Sequence, residues 1–259
     1  MKDRFHGIGR TYGMRALPAL AESSVMVIGV GGVGSWAAEA LARTGVGALT
    51  LVDLDDICVS NINRQVLALN STVGQLKVEA LGKRLLDIHP ELRLKTDASF
   101  MGPKNMSALL AQKPTVIVDC TDDAQNKCLL AASCREQGQL LVTVGASGGR
   151  RDPSRVTSSD LSLTRNDRLL YRVRKLLRQD YAFPREHEGE FGIACVYSNE
   201  RPVYPTEDGC LSYEPQAPGQ GMDCASGYGS VSFVTGTFGF HAAALAVKLI
   251  LERRQIPWV

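Results

Sequence analysis

No two cysteines in this chain form a C-x-x-C pair, although there are seven, at positions 58, 120, 128, 134, 195, 210 and 224. That absence excludes a zinc ribbon and a thioredoxin-type redox centre. Charge of one sign is also missing. The formal net charge is only +2, so bulk charge does not announce a nucleic-acid partner, and any such partner would need a local basic patch. The four histidines show no metal-ligand spacing. A basic-then-apolar leader is absent from the first residues, where arginine, histidine and glycine interrupt early. With thiols unpaired by any motif, a reducing cytoplasm is the simplest location. Only one stretch is long and apolar, residues 231–250, with His241 and Lys248 as its titratable groups. It has the length of a membrane span. Its Gly/Thr/Ser-rich first half and the lack of any second span make it the core helix of a soluble α/β domain. Repeats and low-complexity tracts are absent as well.

What is present is concentrated between Ser23 and Asp55. Val25, Met26, Val27 and Ile28 form a continuous apolar run, suited to a strand buried on both faces. Gly29, Gly31 and Gly34 follow at G-x-G-x-x-G spacing, with Gly32 between them. Such glycines permit a tight turn, close backbone approach to phosphate and close helix packing. The helix expected over 35–44 would aim its N-terminal N–H groups at an anion. A second strand then ends at Asp53, placed to bind ribose hydroxyls.

Further along, apolar residues at 78, 81, 85 and 88 mark a helix that His89-Pro90 ends. Leu92 and Leu94 suggest a short strand, a helix follows around 105–111, and Thr115 to Asp119 is a buried strand. Residues 124–137 are helical and Leu140 to Val144 form another strand. Alternation at this spacing predicts an α/β, Rossmann-like fold with a mostly parallel sheet and helices on both faces. Three portions are expected within one domain: an N-terminal arm over 1–22, an ATP-binding core over 23–147, and a substrate and dimer portion over 148–259. The arm reads as solvated with a short helix, and the last portion as an irregular extension. Within that extension Arg165 to Arg178 form an amphipathic helix with a basic face, and 181–218 read as loops and short strands.

The glycine turn with Asp53 alone would equally suit a nicotinamide-dependent oxidoreductase. The residues beyond Asp53 separate the readings. Asn61, Arg64, Gln65 and Lys77 fall in consecutive loops past a strand end, where phosphate chemistry needs cations and amides and hydride transfer does not.

Taken in order, Gly29, Gly31, Gly32 and Gly34, then Asp53, Asp55, Asn61, Arg64 and Gln65, then Gly74 and Lys77, then Asp119-Cys120-Thr121-Asp122, resemble the adenylation domain of the ubiquitin-activating-enzyme superfamily. The resemblance runs from about Arg10 to Gly145. It implies ATP with Mg2+ and attack of a carboxylate on the α-phosphate. It assigns Asp53 to the ribose, Arg64 and Lys77 to the phosphates, Asn61 to phosphate or metal, and Asp122 to Mg2+. Arg10 matches an arginine that reaches into a partner subunit's ATP site, which implies a homodimer.

Members that adenylate a sulfur-carrier protein usually carry a zinc site built from two C-x-x-C pairs, and this chain has neither. Arg4-Phe5-x-Gly7-Ile8-Gly9-Arg10-x-Tyr12-Gly13, the stretch from Gly32 through Trp36 to Gly45, and Met222-Asp223-Cys224-Ala225-Ser226-Gly227 are instead similar to the bacterial tRNA threonylcarbamoyladenosine dehydratase family. That resemblance implies ATP-dependent closure of the threonylcarbamoyl group beside the anticodon into a cyclic form. With tRNA as substrate, Arg168, Arg172, Lys175 and Arg178 become candidate phosphate contacts; otherwise they are an ordinary solvated face. Cys224 sits among glycine and serine, where a thiolate would be stabilised at a helix start. It is a candidate reactive residue, since the family is associated with a cysteine desulfurase system, or else an inert packed thiol. Cys58, Cys120, Cys128 and Cys134 are expected in the core.

Overall fold

The structure is a computed structural model that describes residues 4–206, 208–214 and 229–258. The stretch Met222 to Gly227, with Cys224, lies outside the described residues.

Two short helices, α1 (His6–Tyr12) and α2 (Ala16–Ala21), lead into a seven-stranded sheet. Its strands are β1 (Ser24–Ile28), β2 (Ala48–Val52), β3 (Arg93–Asp97), β4 (Val116–Asp119), β5 (Leu140–Val144), β6 (Val156–Asp160) and β7 (Ala194–Ser198). They lie in the order β3-β2-β1-β4-β5-β7-β6. All neighbours are parallel except β6, which runs against β7. The longer helices are α3 (Gly34–Arg43), α4 (Lys77–Ile88), α6 (Ala124–Gln137), α7 (Arg168–Asp180) and α8 (Ser232–Arg253), with the short α5 (Met106–Leu110) before β4.

Strand side chains alternate between two cores, as a sheet covered on both faces requires. Val25, Val27, Leu49, Leu51, Val116 and Val118 turn toward α3, α4 and α8. Met26, Ile28, Val52 and Ile117 turn toward α5, α6 and α7. The apolar window of α8 is 61% buried, as a core helix should be. Close approach explains how it fits. A Cβ at Gly239 would lie 2.6 Å from the Val33 carbonyl oxygen and 2.7 Å from the Trp36 Cβ, so only glycine lets α8 rest on α3.

Two expectations change. The N-terminal arm is docked rather than solvated: Phe5, Ala16, Ala19 and Leu20 are buried. The region beyond residue 147 also supplies β6 and β7 to the main sheet, with β7 inserted between β5 and β6. Among the described residues the irregular part comprises the connections and a small hairpin of β8 (Tyr204–Pro205) and β9 (Leu211–Ser212).

His89 shows how the arm is held. It is buried, with Phe5 edge-on at a centroid distance of 4.8 Å, while Arg4 Nη1 donates to the Ile88 carbonyl at 2.8 Å. Burial lowers the His89 pKa, and the Arg4 and Arg93 charges add to this against Glu91. A histidine held neutral contributes stability that is present above its ordinary pKa and lost as pH falls below it. Acidification from about pH 7.5 to about pH 5 should therefore raise amide exchange in α1 before exchange in α3 changes.

Candidate nucleotide-binding site

The chain path creates the crevice. From β1 it passes through α3 to β2 and on to β3, then returns to lay β4 on the other side of β1. Ligands of open parallel sheets bind at such a switch point, outside the carboxyl ends of the strands. Register brings those ends level, since Ile28 pairs with both Val52 and Asp119. The Gly29 N–H then donates to the Val52 carbonyl at 2.8 Å, and the Cys120 N–H to Ile28 at 2.8 Å.

Two glycines of the turn are structurally required. Gly29 has φ 81°, and an added Cβ would meet the Cys120 carbonyl oxygen at 3.0 Å. At Gly34 a Cβ would fall 1.8 Å from the Gly29 carbonyl oxygen. Gly31 and Gly32 border the loop that carries the polar residues: a Cβ there would lie 3.8 Å from Gln65 Nε2 and 3.4 Å from Arg64 Cγ.

Asp53 ends β2 and folds back onto the turn. Its Oδ2 accepts the Val30 N–H at 2.8 Å and its Oδ1 the Asp55 N–H at 2.9 Å. Burial pushes its carboxyl above the ordinary range, while the Lys77 charge and those two N–H donors oppose the rise. Lys77 opens α4, buried along its stem, with Nζ 2.6 Å from Asp55 Oδ2. A buried cation therefore faces two acidic side chains at the mouth of the crevice.

The loop between them is braced from three sides. Asn61 Oδ1 accepts the Cys58 N–H at 3.1 Å. That holds Asn61 in the loop, with its amide N–H groups and the second lone pair of its oxygen left for a phosphate or a metal. Arg64 Nη1 donates to the Ser60 carbonyl at 2.7 Å and to Asn63 Oδ1 at 3.1 Å. The Arg64 carbonyl in turn accepts Trp36 Nε1–H at 3.0 Å and the Thr235 hydroxyl at 3.2 Å. Sequence reasoning named Trp36 only within the family resemblance and did not single out Thr235; the packing of α3 against α8 brings both here. Gln65 is buried, and its Oε1 has no hydrogen-bond partner. A buried amide oxygen without a partner beside Gly31 is a place for a ligand donor.

Across the crevice, β4 ends in Asp119, whose Oδ1 accepts the Thr121 N–H at 3.1 Å and the Thr121 hydroxyl at 2.7 Å. Its Oδ2 meets the fully buried Lys127 Nζ at 2.9 Å and the Thr143 hydroxyl at 2.8 Å. Neither Lys127 nor Thr143 was among the expected residues; a carboxylate closing a strand with a lysine eight positions on was the available signal. Asp122 follows, exposed to solvent, and Asp123 caps α6 by accepting the Asn126 N–H at 2.7 Å. No group of three or more His, Cys, Asp or Glu suited to a metal occurs among the described residues. Mg2+ held with a nucleotide needs only one or two carboxylates beside phosphate oxygens and water, which Asp122 fits.

Several expected residues lie elsewhere. Arg10 is exposed in the last turn of α1, which packs by Phe5 on His89 and Gly45 at the opposite end of the strands, so it does not join this crevice within its own chain. Arg168, Arg172 and Lys175 share the exposed face of α7. Arg178 differs from them, being half-buried with Nε donating to the Pro184 carbonyl at 3.2 Å and its guanidinium over the Phe191 ring. Cys128 and Cys134 are buried and Cys120 partly so, and burial pushes each thiol up to about 12. Cys58 corrects the expectation of a core thiol, for it is exposed on the loop that precedes Asn61.

A glycine turn, a buried carboxylate just past β2, and amide and cationic side chains around one braced loop suit a nucleoside triphosphate. The profile of the ThiF family matches residues 7–257. This chain belongs to the ThiF family. Among ThiF-family relatives, the tRNA threonylcarbamoyladenosine dehydratase of Escherichia coli is 41% identical, over 97% of this chain and 95% of its own. The crystal structure of the E. coli tRNA N6-threonylcarbamoyladenosine dehydratase in complex with ATP superposes with a TM-score of 0.87 at 38% identity, covering 98% of this chain and 96% of that one. The E. coli molybdopterin-synthase adenylyltransferase is 39% identical over only 45% of this chain and 46% of its own. The similarity to the dehydratase thus spans nearly the whole chain, and that to the adenylyltransferase less than half of it.

Proposed function

We propose that this chain is an ATP-dependent dehydratase that cyclises N6-threonylcarbamoyladenosine in tRNA next to the anticodon. One observation carries the reading: similarity to the dehydratase spans 97% of the chain, whereas similarity to the molybdopterin-synthase adenylyltransferase spans 45% of it. In the first step a threonine carboxylate oxygen attacks the α-phosphate and pyrophosphate leaves. A nitrogen of the same carbamoyl group then attacks the activated carboxyl carbon, and AMP leaves with the carboxyl oxygen. The net change to the tRNA is loss of one water. The chain's own residues bind and orient: Asp53 takes the ribose, the turn from Gly29 to Gly34 takes the phosphates, and Arg64 and Lys77 oppose the charge that builds on the leaving pyrophosphate.

Mg2+ beside Asp122 supplies further charge neutralisation in this reading. A homodimer is supported by the place of Arg10, exposed far from its own crevice, and by exposed Phe233 and Phe240 on α8 and Val59 and Ile62 on the site loop. A cytoplasmic location fits six free cysteines among the described residues. A cysteine desulfurase system acting through Cys224 rests on the family resemblance alone.

Pyrophosphate release from ATP should be stimulated by threonylcarbamoylated tRNA and not by a carrier protein ending in glycine, and mass analysis should show the tRNA lighter by one water. Stimulation by the carrier instead would favour the adenylyltransferase, and tight NAD binding without ATP binding would overturn both. Reversing the charges of Arg168 and Arg172 together should weaken tRNA binding about tenfold or more and lower its salt dependence by a slope of about 2, with ATP affinity unchanged.

A further inference from the structure

Beside the exposed face of α7 lies a second basic feature that the adenylation chemistry does not use. Arg174, Lys175 and Arg178 of α7, with Arg165 from the segment before it, line a cleft of about 800 Å3. Glu186 and Glu190 line it as well. The volume falls within the range of roughly 300–1,000 Å3 typical of ligand clefts. None of the four cations forms an ion pair with a carboxylate among the described residues. Two of them are held in place by neutral partners. Arg174 Nη1 donates to the Thr164 hydroxyl, and Arg178 Nε donates to the Pro184 carbonyl at 3.2 Å. Guanidinium groups fixed in this way lose little side-chain freedom when an anion arrives. Burial lowers the Arg174 pKa, with the neighbouring Arg178 charge adding to it, a repulsion that a bound anion would relieve. Tyr171 stands at the mouth, 64% exposed, with the Arg174 guanidinium 6.0 Å from its ring centroid.

The mixed lining selects the occupant. A phosphate satisfies the arginines, but a plain anion or an acidic peptide offers little to Glu186 and Glu190. A ribonucleotide offers both: phosphate on one side, and 2′-hydroxyl or base amino donors on the other, with a base face for Tyr171. The cleft is also well placed for RNA. Asp167, the N-cap of α7, accepts the Ala146 N–H just past β5, so α7 starts at the crevice end of the sheet. It then descends 13 residues, roughly 20 Å. The segment that lines the cleft with it runs from Asp160, which pairs with Ala194 at the start of β7, the far end of the strands, back to Asp167. The exposed Arg168, Arg172 and Lys175 connect the two ends.

The geometry points to this cleft as a second RNA subsite, which takes a nucleotide of the substrate tRNA remote from the reacting adenosine, its phosphate on Arg174 and Arg178 and its base on Tyr171. This assignment rests on the tRNA reading above.

The test measures binding of threonylcarbamoylated tRNA to the full chain over a salt series. Tyr171→Ala should weaken it about tenfold, Tyr171→Phe should leave it near wild type, and Arg165→Glu should weaken it and reduce the salt slope by about 1 to 2. ATP affinity should not change in any of these variants. Glu186→Gln with Glu190→Gln should narrow the ratio of affinities for the tRNA and for DNA of the same sequence. Wild-type tRNA affinity in both Tyr171→Ala and Arg165→Glu would overturn the subsite and leave the proposed function standing. An unchanged RNA-to-DNA ratio in the glutamine pair would overturn the assignment to a ribonucleotide. Failure of the wild-type chain to bind tRNA at all would remove the proposed function and the subsite with it.

Discussion

Lys77→Ala should lower the rate of ATP-dependent turnover about 10²–10³-fold while leaving the fold intact, the size of loss expected when one charge stabiliser of a transition state is removed. The two effects separate because the lysine does different things in the two contexts. In the free protein its Nζ pairs at 2.6 Å with Asp55, whose side chain is 49% exposed. Solvent screens such a pair, so its loss costs less than about 1 kcal/mol of stability. With a triphosphate in the crevice the same charge opposes phosphate oxygens in a site closed from below by the Gly29 turn. Removing it leaves Asp53 and Asp55 facing the nucleotide with no cation between. Lys77 also holds down the Asp53 pKa against the effect of burial. In Lys77→Ala, then, the acid limb of ATP binding should move to higher pH, because Asp53 takes up a proton sooner as pH falls. Pyrophosphate release, ATP titration at several pH values and circular dichroism would check all three statements. Full turnover in Lys77→Ala would remove the phosphate assignment.

The crevice was legible because its parts are local. The spacing of Gly29, Gly31 and Gly34 is a backbone requirement that survives into the sequence, and Asp53 and Lys77 each follow directly from an element whose periodicity is plain. Short strands were expected over 181–218, but the place of β7 in the main sheet was hidden because Ala194 to Ser198 is five residues long and joins β5 by a connection of about fifty residues. Nothing within reach of its own neighbours declares that pairing. Arg178 reads like its basic companions on α7. Only the chain folding back through Pro184 and Phe191 draws it out of solvent. Lys127 was hidden for a related reason. Helix α6 is covered by the sheet on one side and α7 on another, so Lys127, Cys128, Ala131 and Cys134 are all buried and the helix shows no clean polar face.

Lys127 carries the other large expected effect. Its side chain and that of Asp119 are each 1% exposed. Lys127 Nζ meets Asp119 Oδ2 at 2.9 Å and Thr143 Oγ1 at 3.2 Å, while the Asp119 carboxylate also takes the Thr143 and Thr121 hydroxyls and the Thr121 N–H. A buried pair of this kind contributes little net stability beside an apolar pair of the same shape, but losing one partner strands the other charge and costs about 3–5 kcal/mol. Lys127→Met should therefore destabilise the fold by that amount in urea unfolding. Adding Asp119→Asn should recover most of the loss, since no charge is then left buried. Function should not recover in step. Asp119 pins Thr121, and the Cys120–Thr121 backbone lies against the Gly29 turn and leads directly to Asp122. An asparagine at 119 replaces the ionised acceptor of the Thr121 N–H and hydroxyl by a neutral one, so the Thr121 contacts weaken even as the fold is restored. The double variant should thus unfold near the wild-type urea midpoint yet bind ATP more weakly. A Lys127→Met protein as stable as wild type would show that the pair is not buried as described, and a double variant with wild-type ATP affinity would show that Asp119 serves the fold alone.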